Sequence, residues 1–398
     1  MIPSLRRAYN AAFTDERYRD YQRGLEGRGG MEIPFRLAET PVFLPPELRD
    51  EMVEASLEIF RQLSAREALE RSKAAVPPQF DVPGCDPLPT FAVTDFAITR
   101  DSNGRLAPKL IELQAFPTLY AFQVAQCEEI ARFCPGGEKL DWYLSGLDAA
   151  GYRRVVGEAI LSGLPANEVV LLDLDPPRQK TAIDFVFTEQ FWGVRAIDPS
   201  QIEKRARELW YTASNGKKTR IRRIYNRLIF DELEAKGAKL PFDITSRIDV
   251  SWAGHPNWYF RWSKHCLPEL RHPTVPEARF LSDFASPPKD LENWVLKPLF
   301  SFAGSGVKVD VTPADLAAVP PEQRAHTLLM RKIDYAPAIE TTDGNFSKVE
   351  VRVMFVWKEE QPFPVTTLAR LSQGKMMGVN YNKDKTWVGS SGNLWPRA

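Results

Sequence analysis

The most informative stretch of the sequence runs Lys297-Pro298-Leu299-Phe300-Ser301-Phe302-Ala303-Gly304-Ser305-Gly306-Val307. It follows an apolar run at 294–296, so Lys297 would stand at the end of a strand, where its amine can reach a phosphate oxygen. The small residues after it would let backbone N–H groups approach that phosphate closely. No Gly-Lys-Ser/Thr follows as in a Walker P-loop, and the third glycine of a dinucleotide fingerprint is missing. The stretch predicts either a phosphate-binding loop of another kind or a plain glycine hairpin beside a surface lysine.

Far upstream, residues 111–114 read Ile-Glu-Leu-Gln on a predicted strand. Residues two apart on a strand point to the same face, which places the Glu112 carboxylate beside the Gln114 amide oxygen. Both groups are hard oxygen ligands of the kind that Mg²⁺ takes when it is shared with nucleotide phosphates. Because such a pair is also common on a solvated strand face, it predicts a metal site only in combination with other signals.

A third signal is the apolar run at 328–330, which stops at Arg331-Lys332. A strand that ends in a polar turn could lay an adenine ring along its edge, so Met330, Lys332 and Ile333 become candidates for nucleotide contacts. Taken alone, an ordinary core strand explains the same pattern.

The surrounding sequence predicts a mixed α+β and α/β architecture in three regions. Residues 1–165 read as helices followed by two strands at 90–99 and 107–113, which a turn at 101–104 joins as a hairpin. Residues 166–262 alternate short, continuously apolar strands with helices, which is typical of a small Rossmann-like unit with a parallel sheet. Residues 263–398 carry strands at 294–298, 327–330, 349–357 and 365–371 and predict a mostly antiparallel sheet.

The order of these motifs resembles that of eukaryotic glutathione synthetase, a circularly permuted ATP-grasp enzyme, and more distantly that of glutathionylspermidine synthetases. Further motifs carry the resemblance. Thr94-Asp95-Phe96-Ala97 is similar to the family's hairpin before its metal strand, Ile224-Tyr225-Asn226-Arg227 to its substrate strand, and Ser263-Lys264 to its second phosphate-binding lysine. In outline the resemblance covers residues 90–380.

The resemblance implies ATP and Mg²⁺ as cofactors and gives roles to individual residues. It implies metal binding by Glu112 and Gln114 and substrate binding by Asp95 and Arg227. We take Arg352 and Arg370 as candidate catalytic residues, because a guanidinium can fork onto two oxygens of a carboxylate or phosphate. The implied nucleotide-binding set is Lys264, Lys297, Ser301, Gly304, Ser305, Gly306, Met330, Lys332 and Ile333.

Departures from the family pattern occur at both the metal and the substrate positions. Gln114 stands where the family usually has Asn, the acidic residue of the glycine-rich loop is absent, and Glu350 is a weak candidate for a third metal ligand. The serines expected after the metal strand are replaced by residues 115–117, which read Ala-Phe-Pro, and Val93 stands near the place of an expected arginine. The nucleotide machinery is therefore better supported than glutathione precursors as substrates.

The implied reaction transfers the γ-phosphoryl group of ATP to a substrate carboxylate, and an amine then attacks the acyl phosphate. It would make the chain a ligase that forms a carbon–nitrogen bond on an amino acid, small peptide or related acid. No protein nucleophile is required, which agrees with the lack of a Ser-His-Asp or Cys-His pattern. Two alternatives stay open, namely a nucleotide-binding regulatory protein without turnover and a phosphotransferase that stops after phosphorylation.

The composition of the chain bears on which classes of molecule it binds. The 398 residues carry 52 Lys plus Arg against 52 Asp plus Glu, and this balance argues against nucleic acid or an anionic membrane as the main partner. Four cysteines without a CxxC pair are typical of free thiols in a cytoplasmic protein, and no apolar run is long enough for a membrane span. The expected partners are small carboxylate and amine substrates, and the sequence leaves a homo-oligomer open.

Overall fold

A computed structural model describes residues 1–299, 306–374, 377, 382 and 384–397. Its α-helices, labelled α1–α10 in chain order, are Pro3–Ala12, Asp15–Gly29, Pro46–Leu63, Arg66–Ser72, Tyr120–Ala131, Ala149–Leu161, Ala182–Trp192, Phe230–Ala235, Asn257–Arg261 and Pro313–Ala317. Its strands, labelled β1–β18, are Val42–Phe43, Phe91–Arg100, Leu106–Gln114, Leu140–Asp141, Val169–Leu172, Arg195–Ile197, Glu203–Arg205, Glu208–Thr212, Lys218–Ile221, Arg223–Asn226, Ser251–Ala253, Ala278–Phe280, Trp294–Pro298, Thr327–Arg331, Ile339–Glu340, Phe346–Lys358, Gln361–Ser372 and Gly389–Pro396.

The largest sheet joins the first and last regions of the chain. Its strand order is β1-β18-β17-β16-β2-β3, and β4 and β15 pair at its margins. The pairings β16–β17, β16–β2 and β2–β3 are antiparallel, and the predicted turn at 101–104 closes the β2–β3 hairpin. The strand of Glu112 therefore lies in the same sheet as the strands of Arg352 and Arg370.

Both faces of this sheet are covered, which explains why β16 alternates and yet reads as almost continuously apolar. Val351 and Val353 pack in a core with α3 residues such as Met52. Met354 belongs to a second core with α5 residues such as Val124. Strands that are buried on both faces are apolar along nearly their whole length, so the polar residues within β16 stand out.

The predicted parallel unit is present as a four-stranded sheet with the order β11-β10-β5-β6. All of its pairings are parallel, and every residue of β5 is buried. Two features of this region were not predicted: β11 and the antiparallel meander β7-β8-β9, which lies between β6 and β10. The meander begins with the fully exposed Glu203–Arg205, whose charged sequence carries no strand periodicity.

A small antiparallel sheet carries the predicted nucleotide strands in the order β12-β14-β13. β14 is the central strand, because β12 pairs along one edge and β13 along the other. The expectation that an adenine ring lies along the edge of this strand is therefore wrong, since neither edge is open. The pairings leave the contacts predicted for Met330, Lys332 and Ile333 as predictions.

No helix in the described part of the chain has the length and apolar character needed to cross a bilayer.

Candidate functional site

A row of charged residues crosses four adjacent strands of the large sheet. The register places Arg370 of β17 opposite Glu350 of β16 and Arg352 of β16 opposite Asp95 of β2. Asp95 in turn lies opposite Glu112 of β3. Opposite residues project to the same face of a sheet, so five charged side chains from distant parts of the sequence meet there.

A β-bulge brings Glu112 into this row. Leu113 pairs with Thr94 and Glu112 with Asp95, but the next pair is Leu110 with Phe96, so Ile111 is an extra residue in β3. Without the bulge, Leu110 and Glu112 would point to the same face. With it, Leu110 enters the hydrophobic core while Glu112 joins the charged row, and Glu112 and Gln114 keep the common face predicted for them.

Asp95 and Arg352 form a buried two-pronged ion pair. Nε and Nη2 of Arg352 donate to the two carboxylate oxygens at 2.6 Å each, and Nη1 donates to the Thr118 hydroxyl at 3.2 Å. Burial alone would raise the pKa of Asp95, but Arg352 and then Arg370 outweigh it and hold that pKa below its ordinary value. All three nitrogens of Arg352 are engaged, and the direct roles that the sequence suggested for both residues stay predictions.

Arg370 is held differently and keeps an open side. Its Nη2 donates to Glu350 at 2.7 Å and lies 3.5 Å from Asp95, while its side chain stays 44% exposed. Nε and Nη1 have no hydrogen-bond partner among the residues that the structure describes. Of the two candidate arginines, Arg370 is therefore the one that can grip a carboxylate or phosphate.

Glu350 fits poorly as the third metal ligand considered from sequence. Its carboxylate accepts hydrogen bonds from Arg370 and from the Tyr335 hydroxyl. Burial raises the pKa of Glu350, although Arg370 and Tyr335 counteract this effect. Sequence reasoning missed Tyr335, which lies in the connection between β14 and β15.

Lys297 reaches from the small sheet to the end of the charged row. Its amine lies 3.3 Å from the carbonyl oxygen of Ile111 and 3.3 Å from the sulfur of Met330, a predicted nucleotide-binding residue that is buried. Burial lowers the pKa of Lys297, Glu112 raises it, and Lys264 lowers it further. The predicted phosphate lysine of the small sheet therefore contacts the residue next to the predicted metal carboxylate of the large sheet, and the two charges influence each other.

Lys264 arrives from a third direction. It opens a short 3-10 turn at Lys264–Glu269, which Ser263 caps by accepting a hydrogen bond from the His265 N–H, and it is 8% exposed. The N–H of Ala115 donates to the carbonyl of Trp262 at 3.0 Å, which ties this segment to the end of β3. The second predicted phosphate lysine thus lies close enough to Lys297 to affect its pKa.

The glycine-rich loop is described only at its base. Backbone hydrogen bonds of 2.9 Å join Leu296 and Lys308 in both directions and close the loop as a hairpin. Gly306 has φ +73°, and a side chain there would bring a Cβ to 2.9 Å from Pro298. The predicted contacts Ser301, Gly304 and Ser305 lie outside the described residues.

The other predicted nucleotide residues follow β14. The Lys332 N–H donates to the carbonyl of Asn293 at 2.8 Å, and its amine lies 3.6 Å from Asp310. Ile333 packs against the core beneath the large sheet. A separate cavity of about 400 Å³ is lined by Leu296 and Pro298, which alternate with Lys297 along β13, and by Lys308.

Arg227, predicted to bind substrate, is buried beside the parallel sheet. Its Nη1 donates to Asp184 at 3.0 Å, and its guanidinium stacks 5.3 Å from the Phe185 ring centre. Asp184 also accepts hydrogen bonds from the N–H groups of Ala121 and Phe122 at the start of α5. These contacts give Arg227 a structural partner, and its role toward substrate stays a prediction.

The donor set suits a magnesium–nucleotide pair. Lys297 and Lys264 supply positive charge for phosphates, while Glu112 and Gln114 offer oxygen atoms from the neighbouring sheet. Among the described residues, no group of three or more His, Cys, Asp or Glu side chains could hold a metal ion by itself. Mg²⁺ commonly binds through one or two carboxylates together with substrate phosphates and water, so two protein oxygens meet this need.

No protein-family profile matches the chain, and no curated protein sequence is significantly similar to it. Among solved structures, the chain is similar to a glutathione synthetase-like effector, GSS30, from Globodera pallida in its apo form. The two share 10% sequence identity, the match covers 98% of this chain and 99% of the other, and the TM-score is 0.59. At this level of identity the likeness bears on the fold alone. The chain has a glutathione synthetase-like fold, as its motif order predicted.

Proposed function

We propose that the chain is an ATP-dependent ligase that joins a carboxylate to an amine, with a circularly permuted ATP-grasp site. The observation that carries this proposal is the position of the Lys297 amine, which extends from the small sheet to the carbonyl of Ile111, next to Glu112. A lysine from one sheet and a carboxylate from another can hold a phosphate chain and its Mg²⁺ between them. When bound, Mg²⁺-ATP would supply the phosphoryl group that activates the carboxylate.

The charges around this position favour a polyanion. Lys297 is partly buried and Lys264 is 8% exposed, and burial together with Lys264 lowers the pKa of Lys297. Two buried amines in each other's field are stabilised by a ligand that brings negative charge to both. Binding of a nucleotide would therefore be accompanied by proton uptake at Lys297 wherever that amine is partly neutral.

Arg370 is the residue of the large sheet that we expect to contact the substrate. Its Nη2 is anchored by Glu350, and its exposed side faces solvent, so it can hold the substrate carboxylate or the transferring phosphoryl group. Asp95 and Arg352 would keep the row rigid beneath it. The parallel unit would hold the acceptor, because ligands of such sheets bind at the carboxyl ends of the strands.

One observation favours a second candidate, a nucleotide-binding protein without turnover. Glu350 is engaged by Arg370 and Tyr335, so Glu112 and Gln114 are the metal oxygens that remain from the set weighed for this role. The chain is also similar in structure to a protein described as an effector. The two candidates differ in their products, since ADP release that needs both an acid and an amine belongs to the ligase alone.

The experiment is a screen of amino acids, dipeptides and polyamines for ADP release from Mg²⁺-ATP. We expect release only with an acid–amine pair, and its loss in Lys297→Ala. ATP binding without release under any pair would favour the second candidate. The absence of ATP binding to the wild-type protein by calorimetry would contradict both.

A further inference from the structure

The parallel sheet has a topological switch between β5 and β10. In the order β11-β10-β5-β6, the chain leaves β5 toward β6 on one side and leaves β10 toward β11 on the other. The helix after β5 is α7, whose Ile183 packs in the core of Leu171. The helix after β10 is α8, whose Phe230 packs in the core of Val170 on the opposite face. In folds of this kind, helices that leave on opposite faces mark the carboxyl ends of the two strands as the place where ligands bind.

Two oppositely charged residues stand at this switch. Asp173 follows the last residue of β5, and Arg227 follows the last residue of β10, with its N–H donating to the carbonyl of Leu172 at 3.0 Å. The guanidinium of Arg227 is already paired with Asp184 at 3.0 Å. The switch is therefore flanked by an arginine with a committed partner and by a carboxylate.

Asp173 has little compensation for its charge. Its side chain is buried, with only 5% of the residue exposed, and one oxygen accepts the N–H of the adjacent Leu174 at 2.8 Å. It forms no ion pair within the part of the chain that the structure describes. Burial raises the pKa of Asp173 to about 7, against the lowering effect of Arg227. A buried carboxylate in this state is stabilised by a cation that also donates hydrogen bonds.

The switch is connected to the charged row of the large sheet. Asp184, the partner of Arg227, accepts hydrogen bonds from the N–H groups of Ala121 and Phe122 in the first turn of α5. Thr118, just before that helix, accepts a hydrogen bond from Arg352. At the end of β11, Gly254 has φ +82°, and a Cβ there would lie 3.0 Å from Pro117. The carboxyl edge of the parallel sheet therefore packs against the segment that follows the Glu112 strand.

We infer that Asp173 binds the ammonium group of the acceptor substrate at the switch between β5 and β10. This inference rests on the proposed ligase function and adds the residue that binds the amine substrate and the form in which that amine arrives, a primary ammonium cation. The ammonium would supply both the missing positive charge and the hydrogen bonds for the second carboxylate oxygen.

The test measures stabilisation of the full chain at pH 8, where Asp173 is mostly ionised. Thermal unfolding is followed with methylammonium, ethanolamine and putrescine, and with tetramethylammonium at equal ionic strength, which has the charge but no N–H donor. We expect the primary amines to stabilise the wild-type protein more than tetramethylammonium does. In Asp173→Asn the apparent affinity for primary amines should fall roughly ten- to a hundredfold. The control is Asp175→Asn, whose carboxylate is 57% exposed and which should respond like the wild type.

An equal response of Asp173→Asn and wild type would overturn the inference, and so would a wild type that does not distinguish primary amines from tetramethylammonium. Calorimetry of Mg²⁺-ATP on the same proteins separates this outcome from a failure of the proposed function. If ATP binds and the amine response does not depend on Asp173, the amine site is wrong and the nucleotide site stands. If ATP does not bind but the Asp173-dependent response is present, the ligase proposal is wrong and the ammonium site stands.

Discussion

The two main sheets each bury an aspartate against an arginine, yet the two carboxylates behave in opposite ways. Asp95 on the large sheet faces Arg352 at 2.6 Å and Arg370 at 3.5 Å, and its pKa is lowered. Asp184 beside the parallel sheet faces Arg227 alone, and burial raises its pKa despite that arginine and two backbone N–H groups. In this protein one facing arginine does not offset the effect of burial on a carboxylate pKa, whereas two facing arginines do. Asp173, which has no ion pair within the described chain, extends the series.

The largest effect is expected from Asp95→Asn. The substitution keeps the shape but leaves Arg352 buried without its counter-charge, so we expect a loss of about 3–5 kcal/mol in the free energy of unfolding at pH 7. Because the folded-state pKa of Asp95 is lowered, its contribution is present above the unfolded-state pKa and is lost as pH falls through the folded-state pKa. Urea unfolding at pH 7 and at pH 3 should show the difference between the proteins shrinking at low pH. A loss that does not depend on pH would contradict the ion-pair explanation.

Asp173→Asn should act in the opposite direction. The ordinary pKa of an aspartate, 3.8, applies to Asp173 in the unfolded chain. In the folded protein burial raises this pKa to about 7, although the charges of Arg227, Glu232 and Lys236 also influence it. Between these values the folded protein binds more protons than the unfolded one, so its stability decreases as pH rises from about 4 to about 7. The shift corresponds to at most about 4 kcal/mol, and we expect the variant to be about 1–3 kcal/mol more stable than wild type at pH 8.

Thermal unfolding at pH 4 and pH 8 checks this prediction, with the gain absent at pH 4. The exposed Asp175→Asn serves as the matched control and should change little at either pH. A variant that is less stable than wild type at pH 8 would show that the Asp173 carboxylate has a favourable partner. The relation between the number of facing cations and the carboxylate pKa would then not extend to Asp173.

Asp184→Asn should cost less than Asp95→Asn. The amide oxygen can still accept the N–H groups of Ala121 and Phe122, and only one arginine loses a counter-charge. We expect a loss of about 1–2 kcal/mol at pH 7, measured by urea unfolding beside the Asp95 variant. If the Asp184 variant loses as much as the Asp95 variant, the number of facing cations does not control the difference.

Tyr335→Phe should give the smallest effect on stability. It removes the hydroxyl that donates to Glu350, at an expected cost of about 1 kcal/mol. Glu350 anchors Arg370, so the variant should also weaken whatever Arg370 holds, which Tyr18→Phe should not do, because the Tyr18 hydroxyl bonds to the carbonyl of Leu37. Turnover or ligand affinity that falls equally in both variants would remove Tyr335 from the site.

Local pattern was enough to predict the strands that carry the site. The apolar run of β5 and the turn at 101–104 depend on residues close in sequence, and both appeared as predicted. The adjacent apolar residues Leu110 and Ile111 break the alternation of β3, but only the pairing with β2 shows that Ile111 is an extra residue. The contact between Tyr335 and Glu350 and that between Thr118 and Arg352 depend on how distant strands are placed, which no local periodicity encodes.

The residues around Arg227 were harder to predict, because they too come together from distant parts of the sequence. Arg227 was found from a motif, but its partner Asp184 lies in α7 and its neighbour Asp173 ends another strand. Asp173 had a usable signal, since an acidic residue directly after a strand buried on both faces marks the carboxyl edge of a parallel sheet. The strand order that makes this edge a switch point became visible only in the fold.

The most direct test of the magnesium–phosphate site measures ATP binding to Lys297→Ala and Glu112→Gln by calorimetry at low and high Mg²⁺. Lys297→Ala should weaken ATP binding by about 1.5–3 kcal/mol at both metal concentrations, because it removes a charge-assisted phosphate contact. Glu112→Gln keeps the size and removes the charge, so it should weaken binding less, regain part of it at high Mg²⁺, and abolish turnover. Unchanged ATP affinity in Lys297→Ala, or a Glu112→Gln defect that excess Mg²⁺ does not reduce, would contradict the claim that these two residues share one magnesium–phosphate site.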